Sequence, residues 1–128
     1  MLSTLLAFLL LVAAPTPPPT ASLTTDAPPT PAVLAALLAE RSGFTLDLAR
    51  DCRLRPGVEA AAWNRQAIQH AIGAFDPMLL PARQSDHVVW ATLVFPDRDI
   101  YVDRPLWIDQ PALRLLGAGP NSRLLMRP

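Results

Sequence analysis

The chain has 128 residues, which bounds it to a single domain. Eleven basic residues, all arginine, are interleaved with eleven acids, so no one-sided field exists to hold a nucleic-acid backbone, and nucleic acid is excluded as a partner. The lone Cys52 rules out an internal disulfide and reads as a buried, inert thiol, too far from the N-terminal apolar run to be a lipid anchor.

The run from Leu5 to Ala14 is too short for a bilayer-spanning helix, which takes about 20 residues. It fits the apolar core of a secretory signal peptide, assigned to residues 1–22. No Lys or Arg precedes the run, and cleavage after Ala14 or after Ser22 both remain open. A secreted, cell-surface or periplasmic location follows, with no stable membrane insertion once the signal is removed. Residues 15–31 hold seven of the fifteen prolines. Pro17, Pro18 and Pro19 impose an extended geometry without backbone donors, so the segment reads as a semi-rigid linker.

Residues 32–128 form the remaining unit. Ala32 to Arg41 is rich in helix formers, with Val33, Leu34, Leu37 and Leu38 on one face and Ser42-Gly43 as a stop. Phe44, Leu46 and Leu48 alternate with polar neighbours and predict a half-buried strand. Pro56-Gly57 breaks the chain. A second amphipathic helix follows, with Ala60, Trp63, Ala67, Ile68, Ala71, Ile72 and Phe75 on one stripe and Asn64 as a candidate cap. Asp76-Pro77 ends it.

From Val88 the period changes. Val88 to Phe95 is apolar on both faces, which predicts a doubly buried strand. Short strands are predicted at Ile100–Val102, Leu106–Ile108, Leu113–Leu116 and Arg123–Met126, separated by turns at Pro96–Asp99, Pro105, Gln110-Pro111 and Gly117–Asn121. Brief strands at even spacing suit a solenoid whose turns stack on one another, with a small sandwich as the rival.

The order NRQAIQHAI, VFP, turn, IYV, PLWI and LRLLGAGPNSRLL, over residues 44–127, resembles the N-terminal portion of pectate-lyase-type right-handed parallel β-helix proteins. In that family a helix reading roughly D-T-A-A-I-Q-x-A-I caps the first coil, followed by V-x-F-P-x-G-x-Y, P-L-x-L and a G-x-G turn. Two departures mark a divergent branch: the acidic glycine loop before the helix is absent, and Asp97-Arg98-Asp99 replaces the glycine after VFP. The resemblance implies a mainly β fold with one capping helix, the incomplete start of a β-helix. It also implies a polysaccharide partner of the lyase or glycoside hydrolase class. The family's catalytic residues lie on middle coils, so no catalytic or substrate-binding residue is carried over and both sets remain unknown.

The candidate sites have plainer readings. Asp97, Asp99 and Asp103 suggest calcium, yet an EF-hand loop would need glycine and glutamate where Val102 and Ile108 stand. They read as turn residues, and neither a metal nor a cofactor is expected. Trp63 and Trp90 read as core, whereas Trp107 can face outward as a sugar platform. Gly117-x-Gly119 leads into a strand and is a turn, not a dinucleotide loop. His70 and His87 stand without triad partners, and His70 reads as solvated.

Three functions remain open at this level. The chain is the start of a polysaccharide-acting enzyme without its catalytic residues, a non-catalytic glycan-binding or structural module, or an inactive truncated product. An open solenoid end predicts self-association.

Overall fold

The computed structural model describes residues 26–84 and 89–128. The signal peptide expected at residues 1–22, the linker ahead of residue 26, and His87 and Val88 lie outside the described residues.

Helix α1 (Pro31–Arg41) starts where the extended Thr30 offers its hydroxyl to the Val33 amide at 3.3 Å. Pro31, with no N–H to leave unpaired, occupies the first turn. Ser42 ends the helix in the left-handed conformation (φ 54°), and the Ser42 and Gly43 amides return to the Ala39 and Leu38 carbonyls. The buried face is Leu34, Ala35 and Leu38, while Val33 points to solvent.

Strand β1 (Thr45–Asp47) is shorter than the alternation predicts because Asp47 turns the chain. Its carboxylate accepts from the Ala49 and Arg50 amides at 3.1 and 3.2 Å and caps the one-turn helix α2 (Leu48–Asp51). Leu48 is therefore buried from a helix rather than a strand. Asp51, whose side chain is 3% exposed, accepts two hydrogen bonds from the Arg41 guanidinium (2.9 and 2.8 Å) and one from the Asp47 amide (2.9 Å). The Arg41 hydrogen bonds outweigh burial and hold the Asp51 carboxyl below the usual carboxylate range. Beside it the Cys52 thiol is fully buried, and that burial, reinforced by the Asp51 and Asp47 charges, pushes it up to about 12.

Gly57, at φ 91°, allows the turn into a short 3₁₀ segment (Val58–Ala60) and helix α3 (Ala61–Gly73). The helix begins before Asn64, so Asn64 is not its cap. Asn64 lies fully buried on the inner face, where its Oδ1 accepts from the Arg55 amide at 2.8 Å. Its Nδ2 donates to the Arg55 and Tyr101 carbonyls at 2.9 and 3.2 Å. Both N–H groups and the carbonyl oxygen of this buried amide are bonded to backbone, which offsets the cost of its burial.

The strands that follow are β2 (Ala91–Phe95), β3 (Asp99–Val102), β4 (Leu113–Gly117) and β5 (Arg123–Met126). They form two all-parallel sheets, one ordered β1-β2-β4 and the other β3-β5. Leu46 lies beside Leu93 and Ala91 beside Leu113 in the first sheet, and Ile100 beside Leu124 in the second. The core joins α1, α3 and the inner strand residues through Leu34, Leu38, Leu46, Ile68, Ile72, Phe75, Leu93 and Ile100.

This architecture corrects the expected fold class. Helix accounts for 35% of the described residues and strand for 21%, in small parallel sheets rather than a β-helix solenoid. The helices are structural partners in the core and not a single cap on a mainly β body. One expected strand is missing for a visible reason. Leu106–Ile108 is irregular because the Gln69 side chain takes both backbone bonds of Trp107, accepting from its amide at 2.9 Å and donating to its carbonyl at 2.8 Å. A helix side chain does there what a neighbouring strand would do. A second side chain, Arg83, fastens the loops by donating to the carbonyls of Phe75 (3.3 Å), Val89 and Pro111 (2.7 Å). Burial lowers the Arg83 pKa from its ordinary value.

Two outcomes follow from these contacts. Asn64→Leu strands two carbonyls and an amide, and urea unfolding should report a loss of about 2–4 kcal/mol. A loss under about 0.5 kcal/mol would show that the amide is dispensable. For Asp51, a depressed native pKa means stability that is complete above the unfolded value near 4 and lost as pH falls through the native value. Urea midpoints should hold from about pH 7 to 5 and decline below about 4, and Asp51→Asn should flatten that decline.

Candidate functional site

The sheets differ at their two ends. On β1 the Asp47 amide is taken by the Asp51 carboxylate. The free side of β3 lies against α3 and the Val58–Ala60 turn, with Tyr101 O bound by Asn64. By contrast β4 and β5 are the outermost strands of their sheets, and among the described residues no strand pairs with their outer sides.

A turn stapled to the one before it holds this open edge in place. Asp97 accepts from the Asn121 amide at 2.7 Å, and its carboxylate sits where a Cβ on Gly119 would have to go. The glycine is therefore needed for close approach rather than for any ligand. Ser122 donates to the Pro96 carbonyl at 2.8 Å, and the Ala118 amide donates to the Phe95 carbonyl at 2.9 Å. Arg123 forks onto Asp99 at 2.7 and 2.9 Å. These bonds register β4 and β5 under β2 and β3.

The side chains on the edge are apolar out of proportion to their exposure. Leu115, Leu116, Leu124 and Met126 are 40–52% exposed. Between the two strands is a shallow cleft of about 170 Å³, lined by Phe95, Leu115, Leu116, Ser122, Arg123 and Leu124. A contiguous apolar edge with free ladder groups is a template for pairing with another strand. The signal for it was present in LRLL and RLLM, which are apolar where a solvent-facing strand would alternate.

The other candidates fall into separate places. Asp97, Asp99 and Asp103 do not converge, since they engage the Asn121 amide, Arg123 and Arg65 respectively. For Asp103, desolvation opposes ionisation, yet the Arg65 hydrogen bond at 2.7 Å and the Arg65 and Arg104 charges together hold its pKa below the usual range. Among the described residues no group of three or more His, Cys, Asp or Glu could hold a metal ion.

Neither Trp63 nor Trp90 is core. Trp63 is half-buried, donates to the Arg53 carbonyl at 2.9 Å and carries the Arg55 guanidinium 3.4 Å over its ring. Trp63 and Arg55 line an open groove of about 590 Å³ together with Glu59, Arg65 and Gln66. Trp90 is 54% exposed, with Arg114 above it at 5.5 Å. Trp107 does face outward, 80% exposed. His70 is half-buried rather than solvated, with its Nδ1 2.9 Å from the Pro29 carbonyl.

No family model matches the chain, and no curated protein or solved structure matches it. Nothing in these comparisons bears on the pectate-lyase-type resemblance.

Proposed function

We propose that the chain is a non-catalytic binding module whose working surface is the open edge of β4 and β5. The observation that carries this reading is the row formed by Leu115, Leu116, Leu124 and Met126 on two strands whose outer sides pair with no strand among the described residues. Main-chain groups on such an edge supply affinity, and alternate side chains select the partner. The stapled turn between Gly117 and Ser122 supports the reading, because a pre-positioned edge loses little freedom on binding. Export belongs to the same proposal and rests on the Leu5–Ala14 run and the proline-rich stretch after it.

The test uses Leu115→Lys with Leu124→Lys, at positions that are already partly exposed. In dilute solution the double variant should unfold within about 0.5 kcal/mol of the natural chain. It should also bind an apolar dye such as anilinonaphthalene sulfonate much more weakly. Undiminished dye binding would sink the reading.

A second reading, contact with polysaccharide, is favoured by Trp107. Its ring is 80% exposed while Gln69 holds its backbone in place. A large aromatic face on a fixed backbone suits stacking against the apolar face of a sugar ring. Affinity electrophoresis through polygalacturonate and through neutral glucan gels should show retardation that Trp107→Ala abolishes. Equal mobility of the two proteins in both gels would discard this reading.

A further inference from the structure

We infer that the groove at Arg55 and Trp63 is a binding site, separate from the sheet edge, that takes one carboxylate of an acidic peptide and is filled in cis by Asp26. The loop that builds it is fixed to an unusual degree. Residues 53–56 have no regular secondary structure, yet side chains hold the backbone of Arg53, Leu54 and Arg55. Trp63 Nε1 donates to the Arg53 carbonyl at 2.9 Å and Arg98 to the Leu54 carbonyl at 3.3 Å. Asn64 takes both the amide and the carbonyl of Arg55. Arg53 stands at φ 61°, in the left-handed region that residues with a side chain rarely adopt. Strain of this kind persists where surrounding bonds enforce it, and it gathers at ligand-holding positions.

What the loop presents is a cation with unused capacity. The Arg55 guanidinium lies 3.4 Å over the Trp63 ring, which occupies its face and leaves the N–H groups on its rim for an acceptor. Among the described residues one acceptor takes them, the Asp26 carboxylate, through a single bond of 2.9 Å from Nη2. Arg41 on Asp51 and Arg123 on Asp99 each fork onto a carboxylate by two bonds. Arg55 has the same fork and uses half of it. The Asp26 side chain is 80% exposed, so a carboxylate offering both oxygens can displace it.

The chemistry of the ligand follows from the occupant and from the lining. Asp26 is itself a peptide carboxylate, brought to the groove by an irregular stretch whose Pro28 is buried and whose Pro29 carbonyl lies 2.9 Å from His70 Nδ1. Beyond it the groove is lined by Ala60, Ala62 and the Gln66 amide, which suit small side chains and a peptide backbone. A dense polyanion is disfavoured, because Glu59 lines the same groove and Arg65 is already paired with Asp103 at 2.7 Å.

The test is a titration of the full chain with acetyl-Ala-Asp-Ala amide, read from the Trp63 indole and Arg55 side-chain N–H signals in proton–nitrogen correlation spectra. An exposed ion pair leaves its cation free about 15–40% of the time, so Asp26→Asn should bind the probe about two- to six-fold more tightly than the natural chain. The probe with Asn in place of Asp should shift neither signal. Arg55→Gln should abolish binding, and Arg55→Lys, which keeps the charge without the fork, should weaken it. Both variants leave the Asn64 bonds intact, since these run to the Arg55 backbone.

No saturable shift in Asp26→Asn, or binding that survives Arg55→Gln, overturns the site. Equal affinity in the natural chain and in Asp26→Asn overturns the role of Asp26. Glucuronate, which carries its carboxylate on a sugar, should bind more weakly than the probe, and parity between the two overturns the peptide assignment.

Discussion

The Asn64 amide is the junction on which the remaining structure rests. It reaches from an inner position of α3 to the chain at Arg55 and to β3 at Tyr101. Helix, preceding loop and second sheet are thereby fixed to one another through a single buried side chain. Apolar contacts around it, from Ile68 and Ile72 to Ile100, supply bulk burial without direction. Directional bonds decide which strand lies under which turn of the helix. The same helix repeats the device one turn on, where Gln69 holds Trp107 by both of its backbone groups. Through these two amides α3 acts as a template for the chain that follows it.

The consequence for the sheets is a difference between their ends. Where α1, α2 and α3 meet the strands, backbone groups are taken up by Asp51 and Asn64. At the other end, a turn locked by Asp97, Ser122 and Asp99 holds two strands in line. Among the described residues no strand covers that end. On the reading proposed above, recognition there rests on main-chain geometry.

Much of the local structure was legible in the residues. The two helices followed from their apolar spacing and stops, and the strands expected at Val88–Phe95, Ile100–Val102, Leu113–Leu116 and Arg123–Met126 stand at Ala91–Phe95, Asp99–Val102, Leu113–Gly117 and Arg123–Met126. The fold class was not legible, because a run of brief strands does not declare how much core the helices will contribute. Leu34, Leu38, Ile68 and Ile72 place that contribution on a par with the sheets. The fate of Leu106–Ile108 was hidden for a related reason. An apolar triplet signals burial or strand, but here a glutamine from a helix distant in sequence took its hydrogen bonds. Trp63 and Trp90 misled in the same way. Large rings suggest core, yet each lies under an arginine guanidinium, of Arg55 and Arg114, a partner that pattern arguments count only as polar. The candidate edge itself was present in LRLL and RLLM, but burial on the inner side and exposure on the outer side give the same letters.

The choice of arginine for every basic side chain has a consequence of its own. A guanidinium keeps its proton throughout the range in which proteins remain folded, whereas an ammonium does not. Arg41 with Asp51, Arg65 with Asp103 and Arg123 with Asp99 thus have no alkaline limit set by their cations. The polar fastenings respond to protons from one direction alone, so raising the pH leaves every clasp shut.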